Sequence, residues 1–321
     1  MRIASLHKTI KTAKSFLIST HVNPDPDALA SELAMALFLK SLGKKVTIVN
    51  EESLPRRFSF FPGARLIKSF TRKISSLDCD AYIIVDCGDL QRIGKVVSLI
   101  KTGKPIINID HHITNDRFGK VNVVLPEASS TAEIIYEILE RYGFKMSRPI
   151  AILLYMGMMT DTGSFRYDNT GPKTHAVVSR LLQFGIPVSD LYRRLYESIP
   201  FSDLKYFTQV VDGIQPLFGG KIICLELPRK VVGKFSQDFD LRDKIFNYLR
   251  AIKGVEVLII LTEQAKNQTR VNFRSQGRFN VARLAAQFHG GGHRKASGCL
   301  LEEPMANAKQ RILDEIQKTY R

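Results

Sequence analysis

Four groups of aspartate and histidine residues stand at or just beyond the ends of apolar segments. The residues concerned are His21, Asp25, Asp27, Asp86, Asp110, His111, His112 and Asp161. A buried strand that ends in such a residue places its side chain at the carboxyl edge of a sheet, where open α/β folds hold their ligands. Carboxylate oxygens suit hard divalent cations, and imidazole nitrogens suit Mn²⁺-like ions. The pattern therefore predicts a site for two metal ions.

One carboxylate would have to bridge two cations that lie roughly 3.5–4 Å apart. We expect Asp86 to do so, because it closes the apolar segment Ala81–Val85 between the other groups. A bridged pair of cations would hold a hydroxide that is nucleophilic at neutral pH and can attack phosphorus in line. A single aspartate at a strand end is more often a turn former or a helix cap. Four such groups in matching contexts favour hydrolysis of a phosphoester.

The segments that must position these residues alternate between strand and helix patterns. Strands are predicted at Ser15–Thr20, Lys45–Asn50, Ala81–Asp86 and Pro105–Asp110, with amphipathic helices at Asp27–Leu42 and Leu90–Lys101. This alternation predicts βαβ units and a mostly parallel sheet, whose right-handed crossovers bring the carboxyl ends to one edge. Prolines 24 and 26 stiffen the turn before the first of these helices, so we expect Asp25 and Asp27 to project from a rigid loop.

The rest of the chain divides into a helical part and a second α/β part. Helices are predicted at Ser129–Tyr142, Arg148–Met159, Pro172–Phe184 and Ser189–Ser198. From Gly213 onwards the predicted strands are Lys221–Leu227, Val255–Leu261, Thr269–Phe273 and Ala296–Leu301, with helices at Leu241–Ile252, Val281–Phe288 and Asn307–Lys318. We therefore expect a catalytic domain at 1–185, a helical connector at 186–212 and a smaller α/β domain at 213–321.

Composition limits the class of protein and its surroundings. The 321 residues carry a formal net charge of +16, which favours a polyanionic partner. No acidic residue occurs from Gln264 to Leu301, a segment with seven lysines and arginines. The four cysteines are scattered, which excludes a disulfide framework and indicates a reducing compartment. No apolar run approaches the roughly 20 residues of a membrane helix, and we expect a cytoplasmic protein without a membrane anchor.

The motifs resemble those of the DHH phosphoesterase superfamily over the whole chain. The segment from His21 to Asp27 resembles its first motif, Val85-Asp86 its second, Asp110-His111-His112 its third and Asp161-Thr162-Gly163 its fourth. The resemblance implies that one Mn²⁺ binds His21, Asp25 and Asp86. It implies a second Mn²⁺ at Asp27, Asp86, His111 and Asp161, with Mg²⁺ or Co²⁺ as substitutes. It further implies that Asp110 orients a neighbouring histidine and that His112 touches the scissile phosphate.

A second signature, Gly290-Gly291-Gly292-His293, is followed by Ala296-Ser297-Gly298. Glycines allow backbone N–H groups to approach an anion closely, and the histidine adds a donor. The segment follows Arg274-Ser275, a pair able to bind phosphate at a strand end. Together these residues resemble the DHHA1 substrate-binding domain, and they argue against the alternative DHHA2 domain of inorganic pyrophosphatases and exopolyphosphatases.

The resemblance narrows to the stand-alone DHH–DHHA1 group, the nanoRNases, which implies a homodimer. We expect a Mn²⁺-dependent phosphodiesterase that releases 5′-mononucleotides from very short oligonucleotides, including linear or cyclic di-adenylate. Phosphatase activity on 3′-phosphoadenosine 5′-phosphate (pAp) is the close alternative. A single-strand exonuclease on longer substrates and a binding module without catalysis remain open, although the complete set of candidate ligands argues against the binding module.

Overall fold

The computed structural model describes residues 3–71, 74, 77–197, 199–236 and 241–319. Contacts divide the chain into two compact units, an N-terminal unit, Met1–Glu197, and a C-terminal unit, Ser198–Arg321. Both are α/β structures built around a sheet, as the alternating pattern predicts. No helix in the described ranges is long and apolar enough to cross a membrane.

The N-terminal unit contains a fully parallel sheet with the strand order β3-β2-β1-β4-β5-β6. Its described strands are β1 (Ser15–Ser19), β2 (Lys45–Asn50), β3 (Ile67–Ser69), β4 (Ala81–Val85), β5 (Ile106–Asp110) and β6 (Val121–Val124). Strands β2 and β3 follow β1 on one side of it, and β4 then pairs with the other side of β1. This reversal creates a crevice at the carboxyl ends of β1 and β4, the position at which such sheets hold ligands.

Helices cover this sheet and bury its apolar strands. Those described in the unit are α1 (Ile3–Thr12), α2 (Pro26–Ser41), α3 (Thr131–Arg141), α4 (Arg148–Asp161), α5 (Pro172–Leu182) and α6 (Val188–Tyr196). The largest apolar core joins α2, α3 and α4 to one face of the sheet, with Phe16 and Phe38 among its fully buried side chains. Strands β1 and β4 are buried along almost their whole length, because a parallel sheet needs cover on both faces.

Two local expectations for this unit are wrong, and two of its strands were not predicted. Leu90–Leu99 forms 3₁₀ turns broken at Gly94, which has a φ of 63°, instead of a continuous amphipathic helix. Asp27 lies in the first turn of α2 and is buried, whereas only Asp25 stands before the helix. The physical reason is that Pro26 occupies the first helical position, where its missing N–H costs nothing. Strands β3 and β6 were also not expected, since each is short and weakly patterned.

The C-terminal unit holds a mixed sheet with the order β11-β12-β10-β9-β8-β7. Its described elements are α7 (Phe201–Asp212), β7 (Gln215–Leu217), β8 (Ile222–Leu227), α8 (Arg229–Val232), α9 (Leu241–Leu249), β9 (Val257–Ala265), β10 (Gln268–Ser275), α10 (Val281–Ala286), β11 (Gly291–His293), β12 (Ala296–Leu301) and α11 (Met305–Thr319). Among these described strands, only the β8–β9 pair is parallel. Ser198, the last residue of one predicted helix, lies outside the described residues.

The glycine-rich segment forms a short strand at the edge of this sheet. Gly291 lies opposite Gly298 and His293 opposite Ala296, so β11 and β12 form a tight hairpin. A Cβ atom on Gly290 would overlap the carbonyl oxygen of Gly298, and one on Gly292 would lie 2.6 Å from the carbonyl oxygen of Ala296. Glycine is therefore required here first of all for close packing of two backbones.

Candidate metal centre

His21, Asp25 and Asp86 form the first of three overlapping donor clusters in the described residues at the β1–β4 crevice, with one ligand atom from each within 4.8 Å of the others; Asp86, His111 and His112 form the third. Nδ1 of His21 lies 2.9 Å from the carbonyl oxygen of Val22, and its Nε2 lies 3.6 Å from Oδ2 of Asp86. A proton on Nδ1 would satisfy that carbonyl and leave the Nε2 lone pair facing the cluster. Asp25 caps helix α2 by accepting a hydrogen bond from the Ala28 N–H at 3.0 Å.

Asp27, His111 and Asp161 form the second cluster, again with one ligand atom from each residue within 4.8 Å of the others. Nε2 of His111 lies 3.5 Å from Oδ2 of Asp161 and 3.6 Å from Oδ1 of Asp86. Asp161 ends helix α4, so this donor comes from a helix C-terminus and not from a strand end.

Asp86 connects the two clusters through its two carboxylate oxygens. Oδ2 faces His21 and Oδ1 faces His111, each at 3.6 Å. Asp86 directly follows β4 and adopts a φ of 52°, a left-handed conformation that non-glycine residues rarely take. Such strain persists only where the surrounding structure imposes it, which is common at functional sites.

Asp110 and His112 form a pair beside Asp86. Nδ1 of His112 lies 2.7 Å from Oδ1 of the fully buried Asp110 and 3.8 Å from Oδ1 of Asp86. The other oxygen of Asp110 accepts a hydrogen bond from the side-chain amide of Asn115 at 2.6 Å. A proton shared between Asp110 and Nδ1 fixes the ring of His112 and leaves its Nε2 as the nitrogen available to a substrate.

The electrostatics of the crevice favour bound cations. Burial, followed by repulsion from Asp86 and Asp161, raises the pKa of Asp27 well above its usual value. Burial also raises the pKa of Asp161 to about 7, assisted by the charges of Asp25 and Asp86 and opposed by His111. Burial opposes charge on His111, but the surrounding carboxylates, Asp161 first, raise its pKa to about 9. Crowded carboxylates that shift in this way gain most from a nearby positive charge. The oxygen-rich donor set with imidazoles therefore fits divalent metal ions.

Sequence reasoning missed the N-terminus of α3, which supports two of the candidate ligands. The N–H groups of Thr131 and Ala132 donate to the two oxygens of Asp27 at 2.8 and 3.1 Å. The Thr131 hydroxyl donates to Oδ1 of Asp86 at 2.8 Å. The Ser130-x-x-Glu133 spacing, typical of a capped helix start, is the signal that could have drawn attention to this helix end.

Asn115 and Asn108 were also missed. The Asn115 side-chain amide donates to Asp110 and, at 2.8 Å, to Oδ1 of Asn108, whose own amide donates to the Cys87 carbonyl at 3.0 Å. These two asparagines join the ends of β4 and β5 beneath Asp110. Cys87 itself is buried, and burial raises the pKa of its thiol to about 12, which fits a packed side chain better than a thiolate ligand.

The candidate substrate-binding residues all lie in the C-terminal unit. Arg274 and Ser275 end β10, where the N–H of Ser275 donates to the Lys295 carbonyl at 2.9 Å. The guanidinium carbon of Arg274 lies 4.7 Å from the centre of the Phe246 ring. Gly290 immediately precedes β11, which contains Gly291, Gly292 and the backbone of His293. The side chain of His293 lies outside the described part of the chain.

Comparison with known proteins places the chain in a family. The N-terminal domain of the DHH family matches residues 15–158, and the DHHA1 domain matches residues 229–321. The "Bifunctional oligoribonuclease and PAP phosphatase NrnA" of Thermus thermophilus is 30% identical over 94% of this chain and 89% of that protein. The protein of the same name from Bacillus subtilis is 28% identical over 91% of each chain.

A solved structure extends the likeness to the fold. The crystal structure of an exopolyphosphatase-related protein from Bacteroides fragilis superimposes with a TM-score of 0.88, at 28% identity, over 99% of this chain and 96% of that one. The domain matches, the relatives and the donor clusters agree with one another. The chain therefore belongs to the DHH phosphoesterase family, as a metal-dependent phosphoesterase with a DHH and a DHHA1 domain.

Proposed function

We propose that this chain is a Mn²⁺-dependent phosphodiesterase that hydrolyses very short oligonucleotides to 5′-mononucleotides. The substrates would be RNA of two to a few nucleotides and linear or cyclic di-adenylate. The observation that carries the proposal is the position of Asp86 between the two donor clusters. Its Oδ2 lies 3.6 Å from Nε2 of His21, and its Oδ1 lies 3.6 Å from Nε2 of His111. Similarity over about nine tenths of each chain to proteins named as oligoribonucleases and PAP phosphatases supports the substrate class.

Two divalent ions would occupy the clusters, the first held by His21, Asp25 and Asp86 and the second by Asp27, Asp86, His111 and Asp161. Mn²⁺ suits this mixture of carboxylates and imidazoles, and Mg²⁺ or Co²⁺ would be substitutes. When bound, such ions would lower the pKa of a coordinated water and supply positive charge at the phosphate. The buried hydrogen bonds to Asp27 and Asp86 would hold these two carboxylates in a single orientation.

Asp110 and His112 would act on the substrate side of the site. The 2.7 Å contact between them fixes the histidine ring, so its Nε2 would reach the scissile phosphate or the leaving oxygen. Asp110 would serve through His112 and not by direct contact with the substrate.

Arg274, Ser275 and the segment Gly290–His293 would bind the far end of the substrate in the C-terminal unit. Arginine binds phosphate through paired hydrogen bonds. Arg274 lies in the stretch from Gln264 to Leu301, which contains no acidic residue, and this supports the proposed role. Recognition of a chain terminus there would limit the length of the substrate.

We also propose that the protein is a homodimer, which light scattering would test. We further propose a cytoplasmic location, with which the four unpaired cysteines are consistent.

The test is a comparison of initial rates with Mn²⁺ on pApA, cyclic di-AMP, an RNA 3-mer, an RNA 24-mer and pAp. Rapid loss of pApA and the 3-mer, with the 24-mer persisting, is the expected result. Comparable rates on the 24-mer would instead favour a long-substrate exonuclease. No turnover by the wild-type protein, or turnover that survives Asp86→Ala, would overturn the proposed mechanism.

Phosphatase activity on pAp is the second candidate. The relatives' name pairs the two activities, and a site that cleaves a phosphodiester can also act on a terminal phosphate. A higher kcat/KM for pAp than for pApA would make this the main activity.

A further inference from the structure

Asn169 lies in the loop between α4 and α5, and its side chain joins two segments of the backbone at the second donor cluster. Its Nδ2 donates to the carbonyl oxygen of Ser129 at 2.8 Å and to the carbonyl oxygen of Asp161 at 3.3 Å. A side-chain amide nitrogen carries two protons, so it can make both hydrogen bonds at once. Asn169 therefore links the backbone just before α3 to the last residue of α4.

Each of these carbonyl groups belongs to a segment that presents a carboxylate to the second cluster. Asp161 is itself a member of the cluster. Ser129 stands two residues before Thr131, whose N–H donates to the carboxylate of Asp27 at 2.8 Å. The amide of Asn169 thus connects the backbone that carries one of these two carboxylates with the backbone that supports the other.

The loop that carries Asn169 begins with a tight left-handed turn. Gly163, Ser164 and Phe165 adopt φ values of 57°, 64° and 65°. The N–H of Phe165 donates to the hydroxyl of Thr162 at 3.0 Å, which holds the turn together. Two successive non-glycine residues in this conformation are costly, and such strain persists where the surrounding structure imposes it. The turn reverses the chain, so that a residue eight positions beyond the end of α4 returns to the carbonyl group at that end.

The far end of the same loop is tied to α3 as well. The hydroxyl of Thr174, in the first turn of α5, donates to Oε2 of the buried Glu133 at 2.9 Å. The same oxygen accepts a hydrogen bond from the backbone N–H of Ser129 at 3.2 Å. The backbone on both sides of Asn169 is therefore held in place, which fixes the position from which its amide donates.

The second cluster needs such a link because its carboxylates lie close together. One ligand atom of Asp27 and one of Asp161 lie within 4.8 Å of each other. Two charged carboxylates at this distance repel each other unless a cation lies between them. Asp27 is held by the N-terminus of α3 and Asp161 ends α4, so the repulsion acts to separate these two helix ends. A hydrogen-bonded bridge between the two ends opposes that separation.

We propose that Asn169 is a positioning residue of the metal centre. It fixes the spacing of the Asp27 and Asp161 carboxylates and thereby sets the affinity of the second cluster for its metal ion. The inference rests on the two-metal site proposed above. It assigns Asn169 no contact with the substrate.

The test compares Asn169→Ala and Asn169→Gln with the control Asn122→Ala. The alanine removes both donors, whereas glutamine keeps an amide on a longer side chain. Asn122 is a matched control, because its amide also donates to a backbone carbonyl, that of Gly119 at 2.6 Å, but at the amino end of β6. For each protein we would measure Mn²⁺ binding by calorimetry, urea denaturation in EDTA, and kcat/KM for pApA at limiting and at saturating Mn²⁺.

We expect the wild type to bind two Mn²⁺ ions. Asn169→Ala should weaken the binding of one ion about 10- to 100-fold, the usual effect of removing a group that orients a metal ligand, and leave the other ion unaffected. Its kcat/KM should fall in parallel at limiting Mn²⁺ and recover at saturating Mn²⁺. Asn169→Gln should recover part of the loss, and Asn122→Ala should bind both ions like the wild type.

Double variants assign the weakened ion to a cluster. Asn169→Ala should add little to Asp161→Asn, because that substitution already impairs the second cluster. It should retain its full effect when combined with His21→Ala, which impairs the first cluster. A general loss of stability would add equally in both backgrounds, so this comparison separates positioning from folding.

Unchanged affinity for both ions in Asn169→Ala would overturn the inference, and so would equal additional losses in the two double variants. Binding of a single Mn²⁺ ion by the wild type would overturn both the inference and the two-metal mechanism. If the wild type bound two ions but cleaved neither pApA nor pAp, the proposed function would fail. The Mn²⁺ titrations would then still decide whether Asn169 positions the second cluster.

Discussion

The carboxylate of Asp27 accepts a hydrogen bond from the backbone N–H of Thr131 at 2.8 Å, although 104 positions separate the two residues. Thr131 is the first residue of α3, so Asp27 sits at the positive end of that helix. Hydrogen bonds from backbone groups hold this carboxylate in one orientation. The carboxylate is therefore already oriented before a metal ion binds. The network around this contact provides several tests of the candidate site.

Gly157 provides the space in which Asp27 lies. A Cβ atom at this position would lie 2.5 Å from Oδ1 of Asp27 and 2.6 Å from Cβ of Ala132. We expect Gly157→Ala to displace the carboxylate, to weaken Mn²⁺ binding at least about tenfold and to destabilise the fold by about 1–3 kcal/mol. Calorimetric Mn²⁺ titration and urea denaturation would measure these effects. Gly171→Ala is the control, since nothing lies within 4 Å of its Cβ position; equal Mn²⁺ affinity in both variants would contradict the prediction.

The Thr131 hydroxyl fixes one oxygen of Asp86 through a 2.8 Å hydrogen bond. Thr131→Val keeps the shape of the side chain but removes the donor, so we expect kcat/KM to fall about tenfold. Thr131→Ser retains the hydroxyl and should stay close to the wild type. Steady-state kinetics at saturating Mn²⁺ would separate the two. If valine and serine reduced activity equally, packing of the methyl group would be the important feature instead.

Asp161 should show opposite effects on function and on metal-free stability. Burial and the neighbouring carboxylates raise its pKa to about 7, so its charged form is unfavourable without a cation. We expect Asp161→Asn to weaken Mn²⁺ binding at least about tenfold and, in chelator at pH 8, to raise the free energy of unfolding by on the order of 1 kcal/mol. Thermal denaturation with EDTA and with Mn²⁺ would measure both effects. The exposed Asp116→Asn serves as control, and a variant that binds Mn²⁺ like the wild type would exclude Asp161 as a ligand.

Glu32 on α2 is a fully buried carboxyl group paired with Asn50. The Asn50 amide donates to Oε1 of Glu32 at 2.8 Å, whereas Oε2 of Glu32 and Oδ1 of Asn50 lack a partner among the described residues. A proton on Oε2 would supply the missing donor. Burial raises the pKa of Glu32 from 4.5 to about 8, in agreement with a neutral acid.

This assignment predicts a pH dependence of stability. Between pH 4.5 and about 8 the folded protein retains a proton that the unfolded chain has released. The contribution of Glu32 is therefore complete below pH 4.5 and declines as the pH rises, by up to about 1.4 kcal/mol per unit. Glu32→Gln carries its own donor at every pH, so it should remove this decline. Urea denaturation at pH 5.5, 7 and 8.5 would compare it with the exposed control Glu127→Gln. A parallel pH dependence in wild type and Glu32→Gln would refute the neutral acid.

Much of the site could be predicted from local sequence. The apolar segments before Asp86 and Asp110 identify β4 and β5, and parallel strands must end at one edge of the sheet. The two donor clusters consist of residues that the motifs single out. The three glycines at 290–292 also stand out in the sequence, but their packing role does not. Their pattern resembles an open loop, whereas pairing with β12 makes the segment a strand.

The residue types at the site and the order of strands and helices follow from the sequence alone, because hydrophobic period and turn chemistry act over a few neighbouring residues. Tertiary structure decided that Thr131 supports Asp27 and Asp86 and that Gly157 makes room for a carboxylate. Each of these relationships joins segments that are distant in the chain. They arise only when helices and strands pack, since packing determines which backbone donors, cavities and charges meet.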